Sequence, residues 1–203
     1  MRKIITLLVL PLLSVCLGQV PDSKSQLKIS YSMKYEKVPF QMKLFKKYLP
    51  TKVVEYHSRL GSRNEVNFNA SMLGKDIINY TIAVDNDSLS TSWIKAQTII
   101  NDSIVDTEFI ESKYITDEQN IFIGDKRKNI LGYDCVNFVS EDDSVKTEGF
   151  LAPDIIVTGE FQKYGLPLEF KSTSKKGRFV VSTKADQIII EPLEANIFIL
   201  KKD

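Results

Sequence analysis

The sequence contains few of the residues on which crosslinked or metal-bound sites are built. Its 203 residues include two cysteines, one histidine and one tryptophan. Because Cys16 lies in an amino-terminal apolar stretch, removal of that stretch would leave Cys135 alone and exclude an internal disulfide. A structural zinc site needs a cluster of cysteine and histidine, which this composition does not supply. We therefore expect stability to come from apolar burial, without a metal or a cofactor.

An excess of charge of one sign is also absent. The chain carries 27 basic and 26 acidic residues, a formal net charge of +1. Proteins that bind nucleic acid need a basic face to neutralise phosphates. The densest lysine group is Lys43, Lys46 and Lys47, and such a group is more typical of a solvated helix face or turn than of a phosphate-binding patch. The composition therefore predicts no nucleic-acid partner.

Long apolar runs are confined to the amino terminus. Arg2 and Lys3 precede an apolar run over Ile4–Leu13, and small Gly18 stands just before a possible cleavage point. The run is too short to span a bilayer, and polar sequence follows it at once. Residues 1–18 are therefore predicted to be a signal peptide, and the chain is not expected to be a transmembrane protein.

This leader sets the expected destination of the rest of the chain. Residues 19–203 are predicted to form a single all-β domain that is exported to the periplasm or the extracellular space. Lipid anchoring through Cys16 is the disfavoured alternative, because the enzyme that cuts before such a cysteine needs a small preceding residue and Val15 is branched.

Alternation of apolar and polar residues runs through the predicted domain. Leu27, Ile29 and Tyr31 begin a period-two pattern that continues through Met33 and Tyr35. The runs over 54–60 and 64–70, separated by Gly61-Ser62, predict a β-hairpin. Many further short runs of this kind follow, so the fold class is predicted to be mainly β. We expect an antiparallel curved sheet or half-barrel with one or two short helices.

One segment has helical rather than strand spacing. Its apolar residues lie between Pro39 and Pro50, and they are Phe40, Leu44, Phe45, Tyr48 and Leu49. The spacing predicts a short helix that packs its apolar side on the sheet. The alternative is a basic amphipathic helix that lies on a membrane or closes the mouth of a barrel.

Large apolar side chains recur at one parity of the predicted strands. On a curved sheet they would face a bound apolar ligand, whereas in a closed sandwich they would form a filled core, and the sequence leaves both open. The candidate ligand-binding residues are Ile29, Tyr31, Met33, Tyr35, Tyr80 and Trp93.

A catalytic site is not recognisable in the sequence. A hydrolase would have to use Cys135 as nucleophile and His57 as its base. Cys135 lies in a strand-like run and is expected to be a small buried apolar side chain. His57 is expected to be exposed on the polar face of its strand. The chain is therefore predicted not to be an enzyme, with no catalytic residue assigned.

Two motifs in the second half of the chain resemble a known family. The run Lys128-Asn129-Ile130-Leu131-Gly132-Tyr133-Asp134-Cys135 is similar to the K-x-I-x-G-Y-x-C signature of GLPGLI-type envelope proteins and their relatives in Bacteroidota. Gly165-Leu166-Pro167-Leu168-Glu169-Phe170 resembles their second signature, although Leu168-Glu169-Phe170 replaces the usual apolar ending. The resemblance covers mainly residues 121–190. It implies an exported all-β domain without established catalysis, and some relatives are similar to the lipoprotein-carrier fold.

Two functions remain open from the sequence. The first is an exported, non-catalytic envelope protein that holds an apolar ligand, such as an acyl chain or a hydrophobic protein segment, in a curved sheet. The second is an assembly factor that pairs with another envelope protein through an exposed sheet edge.

Overall fold

The computed structural model describes residues 24–68, 77–86, 91–100, 103–113, 120–157, 161–194 and 197–198. The predicted leader, with Cys16, lies outside the described residues. The elements are β1 (Ser25–Lys37), a 3₁₀ helix (Phe40–Tyr48), β2 (Lys52–Ser58), β3 (Gly61–Phe68), β4 (Ile77–Asn86), β5 (Thr91–Ile100), β6 (Ser103–Lys113), β7 (Asn120–Ile130), β8 (Tyr133–Glu141), β9 (Val145–Ala152), β10 (Leu166–Ser174) and β11 (Val180–Pro192).

All the strands belong to one antiparallel sheet, in the order β6-β5-β4-β3-β2-β1-β11-β10-β9-β8-β7. Consecutive strands pair as hairpins on both sides, and the predicted hairpin over 54–60 and 64–70 is confirmed by β2 and β3. The central pairing joins β1 to β11, near the two ends of the chain. The prediction of a mainly β, antiparallel fold is therefore confirmed.

The chain's connectivity shows that this sheet is strongly curved. Strands β6 and β7 stand at opposite ends of the eleven-strand order, yet residues 114–119 alone separate them in sequence. Such a connection reaches at most about 25 Å. Ten strand spacings in a flat sheet would place these two strands about 48 Å apart. The sheet must therefore bend so that its two edges approach each other.

One face of the central strands is buried, and we call it the inner face. On β1 it carries Leu27, Ile29 and Tyr31, all within the largest apolar cluster of the described residues. The described parts of the connection between β9 and β10, which we call the covering segment (residues 153–157 and 161–165), lie against this face. Its Ile155 is fully buried and Val157 is nearly so, and both belong to the same cluster. The inner face is thus filled by the chain itself near β1.

The segment between Pro39 and Pro50 departs from its prediction. It is a 3₁₀ helix, and the apolar Phe40 and Leu44 are exposed rather than packed on the sheet. Met42 packs there instead, against the cluster formed by Tyr35, Val38 and Val181, together with Leu49. Residues three apart share a face in a 3₁₀ helix, so the four-residue spacing of Phe40 and Leu44 no longer selects the packed side.

Candidate functional site

The pairing of β1 with β2 decides which side chains face the covering segment. Leu27 pairs with His57, Ile29 with Glu55 and Tyr31 with Val53, and directly paired residues lie on the same face of a sheet. The apolar parity of β1 and the polar parity of β2 therefore share the inner face. This brings a carboxylate and an imidazole to the edge of an apolar core.

His57 is buried, so the prediction that it is exposed is wrong. Its residue exposure is 8%, and its Nε2 lies 3.3 Å from Oε2 of Glu55. The physical reason is that both faces of this part of β2 are covered. The neighbouring Tyr56 is buried in a cluster with Ile197 and Phe198, while His57 turns to the inner face. The apolar side chains on the other face of β2, including Tyr56, therefore pack against residues 197–198 near the carboxy terminus.

A small cavity remains between β2 and the covering segment. Its volume is about 130 Å³. Its walls are mostly aromatic and aliphatic, with one polar side formed by a carboxylate and an imidazole. The lining residues are Tyr31, Glu55, His57, Val157, Phe161, Leu166, Pro167 and Phe170.

Tyr31 is the side chain around which the cavity is organised. Its hydroxyl donates a hydrogen bond of 3.0 Å to the carbonyl oxygen of Pro167. Its ring meets that of Phe170 edge to face, with centroids 6.3 Å apart. Burial, and secondarily the charge of Glu55, raises the pKa of the Tyr31 phenol well above its usual value. The phenol therefore remains a neutral donor that fixes β10 against β1.

Of the six predicted ligand-binding residues, the four on β1 belong to two separate apolar clusters. Ile29 and Tyr31 lie on the inner face, while Met33 and Tyr35 pack in the second cluster beside Val181. Of these four residues, Tyr31 lines the cavity. The assignment of all six residues to a ligand site remains a prediction.

Strand register separates the other two candidates from this group. Tyr80 pairs with Glu65, which pairs with Val54, and this row stands on the face opposite the one that carries Ile29 and Glu55. Trp93 pairs with Val84, at the same parity of β4 as Tyr80. The side chains of Tyr80 and Trp93 lie outside the described residues.

Cys135 is fully buried, as predicted. It belongs to the apolar cluster of the inner face, and its Sγ lies 3.5 Å from the carbonyl oxygen of Tyr133. Burial raises the pKa of its thiol to about 11. A thiol with this pKa is protonated near neutral pH and is a poor nucleophile. The geometry therefore gives no support to a hydrolase built on Cys135.

The described part of the chain also bears on metal binding and membrane crossing. Within it, no group of three or more histidine, cysteine, aspartate or glutamate side chains is placed to hold a metal ion. No helix there has the length and apolar character required to cross a membrane.

Comparison with known proteins supports the fold. PNGF-II is similar, with a TM-score of 0.50 at 16% sequence identity over 86% of this chain. The chain shares its fold with part of PNGF-II. It spans 29% of the length of that protein. At this identity the likeness concerns the fold alone.

Two other solved structures show weaker likeness. A beta-barrel-like protein of a domain of unknown function from Brucella abortus is 9% identical, with a TM-score of 0.46, over 82% of this chain and 98% of that one. An outer membrane lipoprotein-sorting protein domain from Vibrio parahaemolyticus is 9% identical, with a TM-score of 0.38, over 90% of this chain and 92% of that one. No family model and no curated protein matches the chain.

Among the residues that line the cavity, the sequence points to Tyr31 as a candidate and predicts an exposed His57, and it assigns no role to Glu55 or the covering segment. In the sequence, Glu55 and His57 stand at the polar parity of a strand, which is typical of a solvent-exposed face. The signal that could have found them is the pairing of His57 with Leu27, and that register is a tertiary property.

Proposed function

We propose that this is an exported, non-catalytic envelope protein whose inner face binds an apolar group of side-chain size. The observation that carries the proposal is the cavity beside Tyr31, with its aromatic walls and its polar Glu55–His57 side. Export is supported by the leader pattern of residues 1–18. The resemblance to GLPGLI-type envelope proteins is in keeping with this role and stays a prediction.

The size of the cavity limits what it can hold. Pockets for drug-sized ligands usually measure about 300–1,000 Å³. An enclosed apolar cavity of about 150 Å³ in another protein accepts benzene, whereas the cavity here is partly open to solvent. The cavity here, at about 130 Å³, therefore suits one aromatic or branched aliphatic group. Such a group is the end of an acyl chain or one side chain of a hydrophobic protein segment, and a whole acyl chain would need further space.

Binding should be measurable as thermal stabilisation. We expect benzene, and more weakly a fluorescent fatty acid, to raise the melting temperature of the purified protein. A ligand at 100 times its dissociation constant stabilises the folded state by about 2.7 kcal/mol. The variant V157F should fill the cavity and abolish the shift, whereas V157A, at the same position, should enlarge the cavity and preserve it. A wild-type protein that shows no shift with either probe would remove the proposal.

A second function is favoured by the edge strand β7. This strand ends the sheet, and its Phe122 and Ile123 are exposed, Phe122 by 66%. Beyond Ile123, two features of β7 disfavour pairing with another strand. They are a bulge between Ile123 and Arg127 and the charges of Lys126, Arg127 and Lys128. We propose, as the alternative, that residues 120–123 pair with a strand of another envelope protein.

This alternative is tested by crosslinking in envelope extracts. If β7 is the pairing edge, the double variant F122K/I123K should lose a crosslinked partner that wild-type protein retains. The variant I104K/V105K places the same charges on exposed residues of β6, at the opposite end of the sheet, and should keep the partner. Equal recovery of the partner by both variants would argue against pairing through β7.

A further inference from the structure

The 3₁₀ helix is fixed to the sheet on one side. Its Met42, with Leu49 just beyond its end, packs against Tyr35, Val38 and Val181. The amide of Leu49 donates a hydrogen bond of 3.2 Å to the carbonyl oxygen of Lys46, which closes the last turn. The position of the other sides of the helix relative to the sheet is therefore set by this packing.

Two large apolar side chains of the helix face solvent instead of the sheet. Phe40 is 81% exposed and Leu44 is 82% exposed, the highest values among the large apolar residues that the structure describes. Lys43 lies between them in sequence, and its Nζ is 5.6 Å from the centroid of the Phe40 ring. Single exposed apolar residues are ordinary, but these two stand on neighbouring sides of one short helix, and a lysine lies over the Phe40 ring.

The charged residues in the sequence around these side chains are all lysines. Residues 37–52 contain five lysines and no aspartate or glutamate, although the whole chain is nearly neutral. All five are exposed, and they are Lys37, Lys43, Lys46, Lys47 and Lys52. The acidic residue that precedes this stretch, Glu36, is paired with Lys171 at 2.7 Å and accepts a hydrogen bond from Ser182. The charge of Glu36 is therefore largely balanced by Lys171, which lies outside residues 37–52.

We propose that this surface, formed by the 3₁₀ helix with its flanking lysines, binds the surface of a membrane that contains anionic lipids. Exposed apolar side chains surrounded by lysines are the arrangement that inserts at the boundary of headgroups and acyl chains. The described contacts favour a membrane over a protein partner, because Phe40 and Leu44 project outward rather than line a groove. Binding there is separate from the cavity and from β7, so it does not depend on the proposed function.

The proposal is tested by sedimentation of the purified protein with vesicles. We expect binding to vesicles of phosphatidylethanolamine with 30% phosphatidylglycerol, little binding to pure phosphatidylcholine, and weakening as salt rises. Each lysine near an anionic surface contributes about fivefold in affinity, so K43E/K46E should lower it by about 25-fold or more. F40S/L44S should lower it by about tenfold or more.

Matched variants make the result specific to the helix. F122S/I123S removes exposed apolar residues on β7, and K126E/K176E reverses two exposed charges elsewhere, so both should bind as the wild type does. The four altered residues of the test variants are exposed, so melting temperatures should stay close to that of the wild type. The proposal is overturned if the wild type ignores anionic vesicles, or if F40S/L44S binds them equally well. Binding to polyglutamate but not to vesicles, lost in K43E/K46E alone, would replace the membrane with an acidic protein partner.

Discussion

Individual polar residues on the inner face have defined partners within an apolar surrounding. Tyr31 is buried, yet its hydroxyl reaches the carbonyl of Pro167, and the imidazole of His57 reaches the carboxylate of Glu55. A buried polar atom without a partner costs more than a typical hydrogen bond contributes. The Tyr31 contact therefore fixes β10 against β1 beside the cavity, while the contact between His57 and Glu55 lies within β2.

The hydroxyl of Tyr31 can be tested by a single substitution. Tyr31→Phe keeps the ring but leaves the buried carbonyl of Pro167 without its donor, which should lower the free energy of unfolding by about 1–3 kcal/mol. Tyr35→Phe is the control, since it keeps the ring contact with Phe179 at 5.7 Å. Urea denaturation followed by circular dichroism measures both. Equal losses in the two variants would contradict the role given to the Tyr31 hydroxyl.

Burial of Cys135 predicts a loss of stability at alkaline pH. A free thiol in the unfolded chain ionises near pH 8.5, whereas the folded thiol has a pKa raised to about 11. The stabilising effect of this difference is complete below about pH 8.5 and is lost as the pH rises towards 11, by at most about 1.4 kcal/mol per pH unit. Denaturation at pH 7, 9.5 and 10.5 should show a steeper fall for the wild type than for C135A. Parallel curves would show that ionisation of the Cys135 thiol does not contribute to the loss of stability. The phenol of Tyr31 is present in both proteins, so its ionisation above pH 10 affects them alike.

At the scale of elements, the close approach of β9 and β10 depends on Gly149. This residue pairs with Phe170 on β10. A Cβ atom added at Gly149 would lie 2.5 Å from the Cα of Phe170 and would also collide with the carbonyl oxygen of Glu169. Since both atoms belong to the backbone, the strands themselves would have to move apart.

Gly149→Ala should therefore destabilise the fold by about 2–3 kcal/mol. The control is Gly124→Ala on β7, where the added Cβ would meet amide atoms of the Asn137 side chain at 2.6 Å. A side-chain amide can rotate away, so this loss should be clearly smaller. Melting temperatures measured by calorimetry give the comparison. If G124A is as unstable as G149A, the close approach of β9 and β10 has no special dependence on Gly149, and these strands separate easily.

At the scale of the whole molecule, the sheet is organised outward from β1. This strand pairs with β2 on one side and with β11 on the other, and every further described strand adds to one of these two flanks. Strands β6 and β7 end the order, so each has one paired side in the described sheet. Stability should accordingly be greatest in the centre and lowest at the two ends.

Hydrogen exchange can measure this gradient directly. Amides in β1 around Leu27 and Ile29, which are fully buried, should exchange slowest, at rates set by global unfolding. Amides of β6 and β7 should exchange at least about tenfold faster, through local opening of the edges. Equal protection at the edges and in the centre would indicate that the two ends of the sheet are joined, contrary to the strand order given above.

Alternation in the sequence was sufficient for the fold class and for part of the core. Leu27, Ile29 and Tyr31 share a parity and are buried together, and Cys135 is buried as its type favours. The alternation over 178–184 and 187–191 is interrupted between the two runs, yet both belong to one strand, β11, with a register shift where β1 passes from Ser30 to Tyr31. A bulge of this kind looks like a break in the pattern, although the strand continues through it.

The sequence by itself determined that the chain forms antiparallel strands with an apolar parity, because a period of two is a local property of the backbone. It did not determine which face of the sheet each parity joins. That depends on the register between strands: the pairing of Leu27 with His57 and of Ile29 with Glu55 turned a polar parity inward and placed Tyr80 on the opposite face from Ile29. The cavity beside Tyr31 was decided in the same way, because the covering segment reaches β2 only in the folded sheet.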